Sequence, residues 1–516
     1  MKKRVNDPRI CCSAPSCAAC PGSGLTRRGF LSRASSTGIS LAAAASTASA
    51  SIKDPARQQP IRNPLKVQPV FVHRIEPRRQ ATSWRSWGGI HTAQDAAAER
   101  DRIGRDLAKM NAGNQVPLEI LPLVSIDTPE QAAALAKGPQ DVNLMYAANG
   151  HERIYTTLAT PDKWNLMFVR HRSGPVYLYY ETGHCRFLRK AVDEFGQPGM
   201  DVQDLVVDSH ADVLMRLRAL YGLKNALGKR IVAVGGPGGW GAGMRFKAPA
   251  IAQTQMKLDI RTVTYDDLGQ RIQRARQNAA LVKKCRADAE QYLRQPGVTL
   301  DTSRQFVDNA FLLTEVFLDL LDEHQTDAIT IHNCMSTIMP MSETTACLPL
   351  SLLNDEGYMA FCESDFVVIP AGILLHYISG QPMFMNDPTY PHHNMITLAH
   401  CTGPRKMDGK NAEPVRIVTH FESDYGAAPK VEMRKGAKVT NLIPDFASKR
   451  WAAFEGEIVE VPFLDICRDQ IDVGFKGDTE KLAREMRGFH WMTCYGGFVD
   501  ETAYALKKLG VDSFRI

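Results

Sequence analysis

From Lys66 to about Leu227, short runs rich in Val, Ile, Leu and Phe alternate with longer segments of helical period. KVQPVFVHRI, PLEILPLVSI, WNLMFVRHR and GPVYLYYETG read as strands, and AQDAAAERDRIGRDLAKMN and TPEQAAALAKG as helices. VQDLVVDSHADVLMRLRALYGLKNAL reads as a strand followed by a helix. Strands joined through helices lie parallel, because a crossover is needed to return to the same sheet edge. The alternation therefore predicts an α/β fold, with one doubly wound (Rossmann-like) parallel-sheet domain over 66–227. The pattern restarts at Lys229 with KRIVAVGGPGGWGAG, and two long helices lead to the strands AITIHNC and GYMAFCESD. This predicts a second doubly wound domain over 228–378. After Asp387 the texture changes to short strands, EPVRIVTHFES, PKVEMRKG, KVTNLIPD, RWAAFEGEIVEVPFLD and DQIDVGF, broken by turn residues. They predict a smaller β-rich C-terminal domain over 379–516, with FHWMTCYGG as a loop between its two helices. A chain of 516 residues needs more than one such unit.

The N-terminus has a different character. Thr26-Arg27-Arg28-Gly29-Phe30-Leu31 matches the twin-arginine pattern, an Ala/Ser-rich run follows, and Ala48-Ser49-Ala50 is an A-x-A cleavage site. Residues 1–50 are read as a twin-arginine signal peptide and 51–65 as a polar, Pro-containing linker, so the protein is expected to meet the export machinery and to reside in the periplasm or outside the cell. Residues 1–50 hold seven of the 62 Lys/Arg and one of the 56 Asp/Glu, so the remainder carries equal numbers of each sign. No basic stripe survives to mark a nucleic-acid partner. No other run is long and apolar enough for an integral membrane segment. Cys11, Cys12, Cys17 and Cys20 would leave with the signal. The other eight cysteines show no compact disulfide framework and read mostly as buried thiols.

The chemistry concentrates around two acids. Glu363 closes GYMAFCESD, Asp387 closes PMFMND, and the apolar helix FVVIPAGILLHYISG lies between them. This order brings both carboxylates to neighbouring edges of one crevice, where open α/β sheets place ligands. With His490 near the C-terminus they form a three-residue divalent-metal set that leaves coordination positions for a substrate. Each residue also has an ordinary structural use: Glu363 as a helix-capping carboxylate, Asp387 before Pro388 as a turn former, His490 as a packed histidine. His400, ending LAHCTG, is a further ligand or substrate contact. Asn386 and Tyr390 could hydrogen-bond substrate hydroxyls, and Trp240 and Trp491 could offer faces to a ring. The turn GGPGGWG is interrupted by Pro237 and Trp240, and no acidic strand end follows at the spacing a ribose contact requires, so NAD is not expected.

The segment from about Leu350 to Tyr390 resembles the L-fucose and L-arabinose isomerases. Glu363-Ser364-Asp365 matches the family's strand ending in a metal-binding Glu followed by x-Asp, and GQPMFMND matches the extended segment ending in the second acidic ligand, Asp387. FHWMTCYGGFVDETAYALKKLGVDSFRI is similar to the family's terminal segment and supplies His490. The resemblance implies a homo-oligomeric, divalent-metal-dependent isomerase of carbohydrate metabolism. It would convert an aldose to a ketose through an ene-diolate, with Glu363 and Asp387 as ligands and acid/base groups and His490 as a ligand. Mn²⁺ is the favoured ion, with Mg²⁺, Co²⁺ or Fe²⁺ able to substitute. The family members compared are cytoplasmic, whereas this chain carries an export signal. A sugar epimerase, or an exported sugar-binding or sensing protein without turnover, are the alternatives.

Overall fold

The computed structural model describes residues 56–516 except 190–193, 195, 242 and 446–448. The segment read as an export signal, with its four cysteines, and the first part of the 51–65 segment lie outside the described residues. The rest of that segment is fixed in place rather than free. Arg57 pairs with Glu315, Asp319 and Asp322 on the helix Arg304–Glu323, and the Ile61 N–H donates to Asp327 at 2.6 Å.

The first sheet contains β1 (Leu65–Val72), β2 (Leu118–Ile120), β3 (Val124–Ile126), β4 (Val142–Ala147), β5 (Trp164–Val169) and β6 (Leu205–Val207). Its order is β2-β1-β4-β5-β6, with β3 also on β1, and every pairing is parallel. The second sheet takes β7 (Arg230–Val234), β8 (Asp259–Val263), β10 (Ala328–Ile331) and β11 (Met359–Phe361) in the order β11-β10-β7-β8, again all parallel. Between β8 and β10 runs β9 (Val298–Leu300), which joins a separate three-stranded sheet with β14 (Val415–His420) and β15 (Tyr425–Val431). The mixed α/β character with parallel Rossmann-like sheets is thus present. β4 and β5 are buried along almost their whole lengths, as strands covered by helices on both faces must be.

The C-terminal region closes into a barrel. β12 (Phe384–Pro388), β13 (Met395–His400), β16 (Lys438–Ile443), β17 (Arg450–Glu460), β18 (Asp469–Gly474) and β19 (Trp491–Tyr495) run in the order β16-β19-β12-β13-β18-β17, and β17 returns to β16. All six pairings are antiparallel. β20 (Asp512–Arg515) adds in parallel to β17. Closure removes the unpaired edges that short antiparallel strands would otherwise expose.

Two local expectations fail for identifiable reasons. GPVYLYYETG is not a strand: it leads into the short helix Tyr179–Thr182 and the π-helical turn Gly183–Leu188. Its aromatic alternation reflects anchoring, since Tyr177 donates to Glu99 at 2.5 Å and Tyr179 to the Gly150 carbonyl at 3.2 Å. FHWMTCYGG is not a loop: β19 is buried on both faces between β12 and β16, so its residues carry no polar alternation to announce a strand.

The two main cores do not follow chain order. One runs from the first sheet through the helices His210–Ala226, Ile369–Ser379 and Val499–Lys508, and the other joins the second sheet to the barrel. The helix Ile369–Ser379 is buried throughout, begins with Pro370 in its first turn, and ends at Gly380 in the left-handed region, φ 72°. It packs on His210–Ala226 where Gly222 allows close approach: a Cβ there would sit 2.5 Å from Ile378 Cγ1. Gly222→Val should therefore cost about 1–3 kcal/mol through overpacking. Gly104→Ala, at an exposed helical position with nothing within 4 Å, should not destabilise. Thermal-unfolding midpoints of the two variants check this.

Candidate metal centre

The site forms where the C-terminal edge of the second parallel sheet meets one rim of the barrel. β11 supplies Glu363 and Asp365 just beyond its end, β7 supplies the turn to Trp240, and the barrel supplies Asp387 on β12, His400 at the end of β13, and His490 just before β19. The register accounts for the barrel's part. Asn386 pairs with Trp491 and Asp387 with Ala399, so Asp387 stands between the two histidine-bearing strands.

Glu363 and Ser364 are both left-handed, with φ 60° and 46°. A non-glycine residue in this region costs about 1–2 kcal/mol, so the turn is held by its surroundings. Gly238 N–H donates to the Ser364 carbonyl, and Phe366 N–H donates to the Gly238 carbonyl, each at 3.1 Å. The tight turn after β7 is thus tied to the tight turn after β11. The result is that Glu363 faces the cavity while Asp365 turns inward, fully buried.

Asp365 fixes the imidazole. Its Oδ1 accepts from Trp240 N–H at 3.1 Å and Val367 N–H at 3.0 Å, and its Oδ2 lies 2.8 Å from His490 Nδ1. A carboxylate on Nδ1 leaves Nε2 as the outward atom, the arrangement that orients metal-ligating histidines. Nε2 points at Asp387 Oδ1, 3.2 Å away, and Glu363 Oε2, 3.5 Å away. His400 Nε2 lies 3.9 Å from Glu363 Oε1, and its Nδ1 lies 3.2 Å from the Thr402 hydroxyl. Asp387, His400 and His490 offer donor atoms all within 4.8 Å of one another, and so do Cys362, Glu363 and His400.

These residues fit a divalent cation. Glu363 Oε2, Asp387 Oδ1 and His490 Nε2 are buried atoms without a hydrogen-bond partner among the described residues. Leaving such atoms unsatisfied costs about 1–3 kcal/mol each. An ion held by Asp387, His400 and His490 would satisfy two of the three, and Glu363 falls in the neighbouring donor group with Cys362 and His400. A carboxylate with two imidazoles, as Asp387, His400 and His490 provide, suits a borderline divalent ion better than Mg²⁺, which prefers oxygen alone.

The electrostatics agree. Burial disfavours the His490 imidazolium, yet Asp365, Glu363 and Asp387 outweigh it and hold the group at about 10. Burial, reinforced by the Glu363 charge and opposed by His490, pushes Asp387 up to about 7. Glu363 stays below its usual range, because the histidines around it overcome the cost of burial. Burial carries His400 down to about 4 against the pull of Glu363. Without a metal, the proton on His490 is the cation in a pocket of carboxylates.

The cavity beside this cluster has a volume of about 340 Å³. Glu363, Asp387, His400 and Trp240 line it. The Trp240 ring stacks on Phe489 at 4.7 Å and meets His490 edge-on at 6.1 Å, forming a half-exposed aromatic wall at its mouth. Three other expected residues lie elsewhere. Trp491 is buried in the barrel against Phe454 and donates to the Arg487 carbonyl at 2.9 Å. Asn386 is buried, with its amide nitrogen on the Phe384 carbonyl and the Thr493 hydroxyl. Tyr390 is 75% exposed and does not line the cavity. Sequence reasoning missed the positioning role of Asp365 and the presence of His332, His420 and Glu422 in the cavity wall. The two histidines each end a strand-like run, AITIH and RIVTH, which is the signal that could have found them.

No protein-family model matches the chain, and no curated protein matches it by sequence.

Replacing Asp365 by Asn should weaken divalent-metal binding by roughly 10–100-fold, because the imidazole loses its orienting carboxylate. Tyr390→Phe should leave it unchanged. Mn²⁺ titration followed by electron paramagnetic resonance measures both. Ligation requires neutral His490 and ionised Asp387, so binding should release one proton between pH 7 and about 10 and further proton below about 7. Apparent affinity should then rise with pH, roughly tenfold per unit above neutrality and more steeply below it. Titration calorimetry in buffers of different ionisation enthalpy counts the protons.

Proposed function

We propose that this chain is a divalent-metal-dependent aldose–ketose isomerase of the L-fucose/L-arabinose isomerase type, working as an exported homo-oligomer with Mn²⁺ as the favoured ion. The observation that carries the reading is that unpartnered atoms of Asp387 and Glu363, from separate elements, lie 3.2 and 3.5 Å from the unpartnered His490 Nε2. Asp365 behind His490 and His400 beside Glu363 add support.

When bound, the ion supplies electrostatic stabilisation for the negative charge that develops on neighbouring substrate oxygens in an ene-diolate. The chain's own groups handle the proton. Glu363, held ionised, and Asp387, poised near neutrality, both lie within 3.5 Å of His490 Nε2 and reach the cavity from different elements. One can take the proton from the carbon next to the carbonyl while the other returns it to the adjacent carbon. Asp365 keeps the imidazole still, and the Trp240–Phe489 pair shields the site from water.

The rest of the cavity favours a particular sugar class. Met335, Met339, Cys334, Cys347 and Cys362 line it beside Trp240 and Phe489, so much of the wall offers no strong hydrogen bond. A 6-deoxyhexose can present vicinal oxygens to the carboxylates and its methyl group to that wall. A hydroxymethyl at the same place would lose water without regaining a partner.

The test is turnover by metal-loaded protein. With Mn²⁺ supplied, 6-deoxyhexoses or pentoses should be converted to ketoses, with a 6-deoxyhexose preferred over its parent hexose by about tenfold or more in kcat/KM. Glu363→Gln and Asp387→Asn should each lower kcat by roughly 10²–10⁴-fold. Tight metal binding without turnover of any aldose would support the sugar-binding alternative instead.

A further inference from the structure

Five of the eight free cysteines among the described residues line the metal-site cavity: Cys334, Cys347, Cys362, Cys401 and Cys467. Only one pair is in contact. Cys347 Sγ and Cys401 Sγ lie 3.3 Å apart, with the two residues 3% and 5% exposed. Cys347 opens the helix Cys347–Asp355, and Cys401 follows His400 at the end of β13. Ala428 completes a small apolar cluster with them, separate from both main cores. Neither thiol belongs to the groups of donor atoms that converge for a metal.

We propose that Cys347 and Cys401 are an oxidisable dithiol that closes to a disulfide in the cavity wall, with a peroxide as the oxidant. The sulfurs need to approach by roughly 1.3 Å to reach a normal S–S bond, a movement that rotation of two side chains can supply. The cavity admits a reagent as small as hydrogen peroxide to this wall. The sulfur of one cysteine attacks a peroxide oxygen, the O–O bond breaks, and a sulfenic acid and water result. The second cysteine's sulfur attacks the sulfenic sulfur, the S–O bond breaks, and a second water leaves carrying the displaced proton. The dithiol loses two electrons and the peroxide gains them. The new bond ties the start of the helix Cys347–Asp355 to the strand that carries His400. It also removes two S–H groups from the wall, one of them, on Cys401, 3.8 Å from His400 Nδ1. The inference is independent of the sugar-isomerase reading.

The test is peptide mapping of the full chain, reduced, freed of reductant, treated with hydrogen peroxide, then unfolded in alkylating agent. The expected result is joint loss of alkylation at Cys347 and Cys401 with one cross-linked peptide pair, reversed by dithiothreitol, while Cys185, Cys285 and Cys494 remain alkylated. In the Cys347→Ser variant the cross-link should vanish and Cys401 should be recovered alkylated or as a sulfenic-acid adduct. The same pair should form when the unfolded chain is refolded in a thiol/disulfide buffer, where burial offers no barrier. Retention of both free thiols in the two experiments overturns the proposal, as does a cross-link joining Cys347 or Cys401 to Cys334, Cys362 or Cys467.

Discussion

The buried contact between Asp365 and His490 connects the two halves of the site. It spans 125 residues of sequence and joins the edge of a parallel sheet to the rim of an antiparallel barrel. A carboxylate and an imidazole removed from water are costly unless each is fully partnered. Here Asp365 is partnered three times, by Trp240 N–H, Val367 N–H and His490. The left-handed turn at Glu363 and Ser364, the glycine turn after β7 and the residue just before β19 all meet at that contact. The orientation of His490 Nε2, and so the meeting with Glu363 and Asp387, follows from it.

The parallel layers were legible because parallel strands need helical crossovers, and that requirement writes an alternation into the chain. The barrel was legible as short strands but not as a closed object, since closure is a pairing of β16 with β17 that no local pattern encodes. β19 was invisible for a related reason: buried on both faces, it lost the period of two that marks a strand. Within the site, Glu363, Asp387 and His490 could be read from order and spacing. Their neighbours could not all belong with them. Adjacent residues on a strand face opposite sides, so a strand that turns Asp387 to the cavity must turn Asn386 away, and the same rule separates His490 from Trp491. Asp365 was hidden because its role depends on a partner 125 residues later. The five cavity cysteines were hidden because irregular spacings converge only in three dimensions.

The site sets hard ligands into soft surroundings. Carboxylates and imidazoles occupy one end of the cavity, and thiols, thioethers and aromatic rings make up much of the rest. Such a wall holds little water and lowers the local dielectric, so each charge at the far end acts more strongly on its neighbours. That is the common origin of the upward displacements of both His490 and Asp387: the same exclusion of solvent that makes an isolated carboxylate costly makes a carboxylate beside an imidazolium effective.

The placement of β19 between β12 and β16 bears on how the protein is made. Synthesis proceeds from the N-terminus, and domains tend to fold as they emerge. The parallel layers, with Glu363 and Asp365, leave the ribosome well before the strand next to His490. A nascent chain can therefore hold Glu363, Asp387 and His400 before His490 joins them, so its selectivity among metal ions is that of an incomplete donor set until β19 is in place.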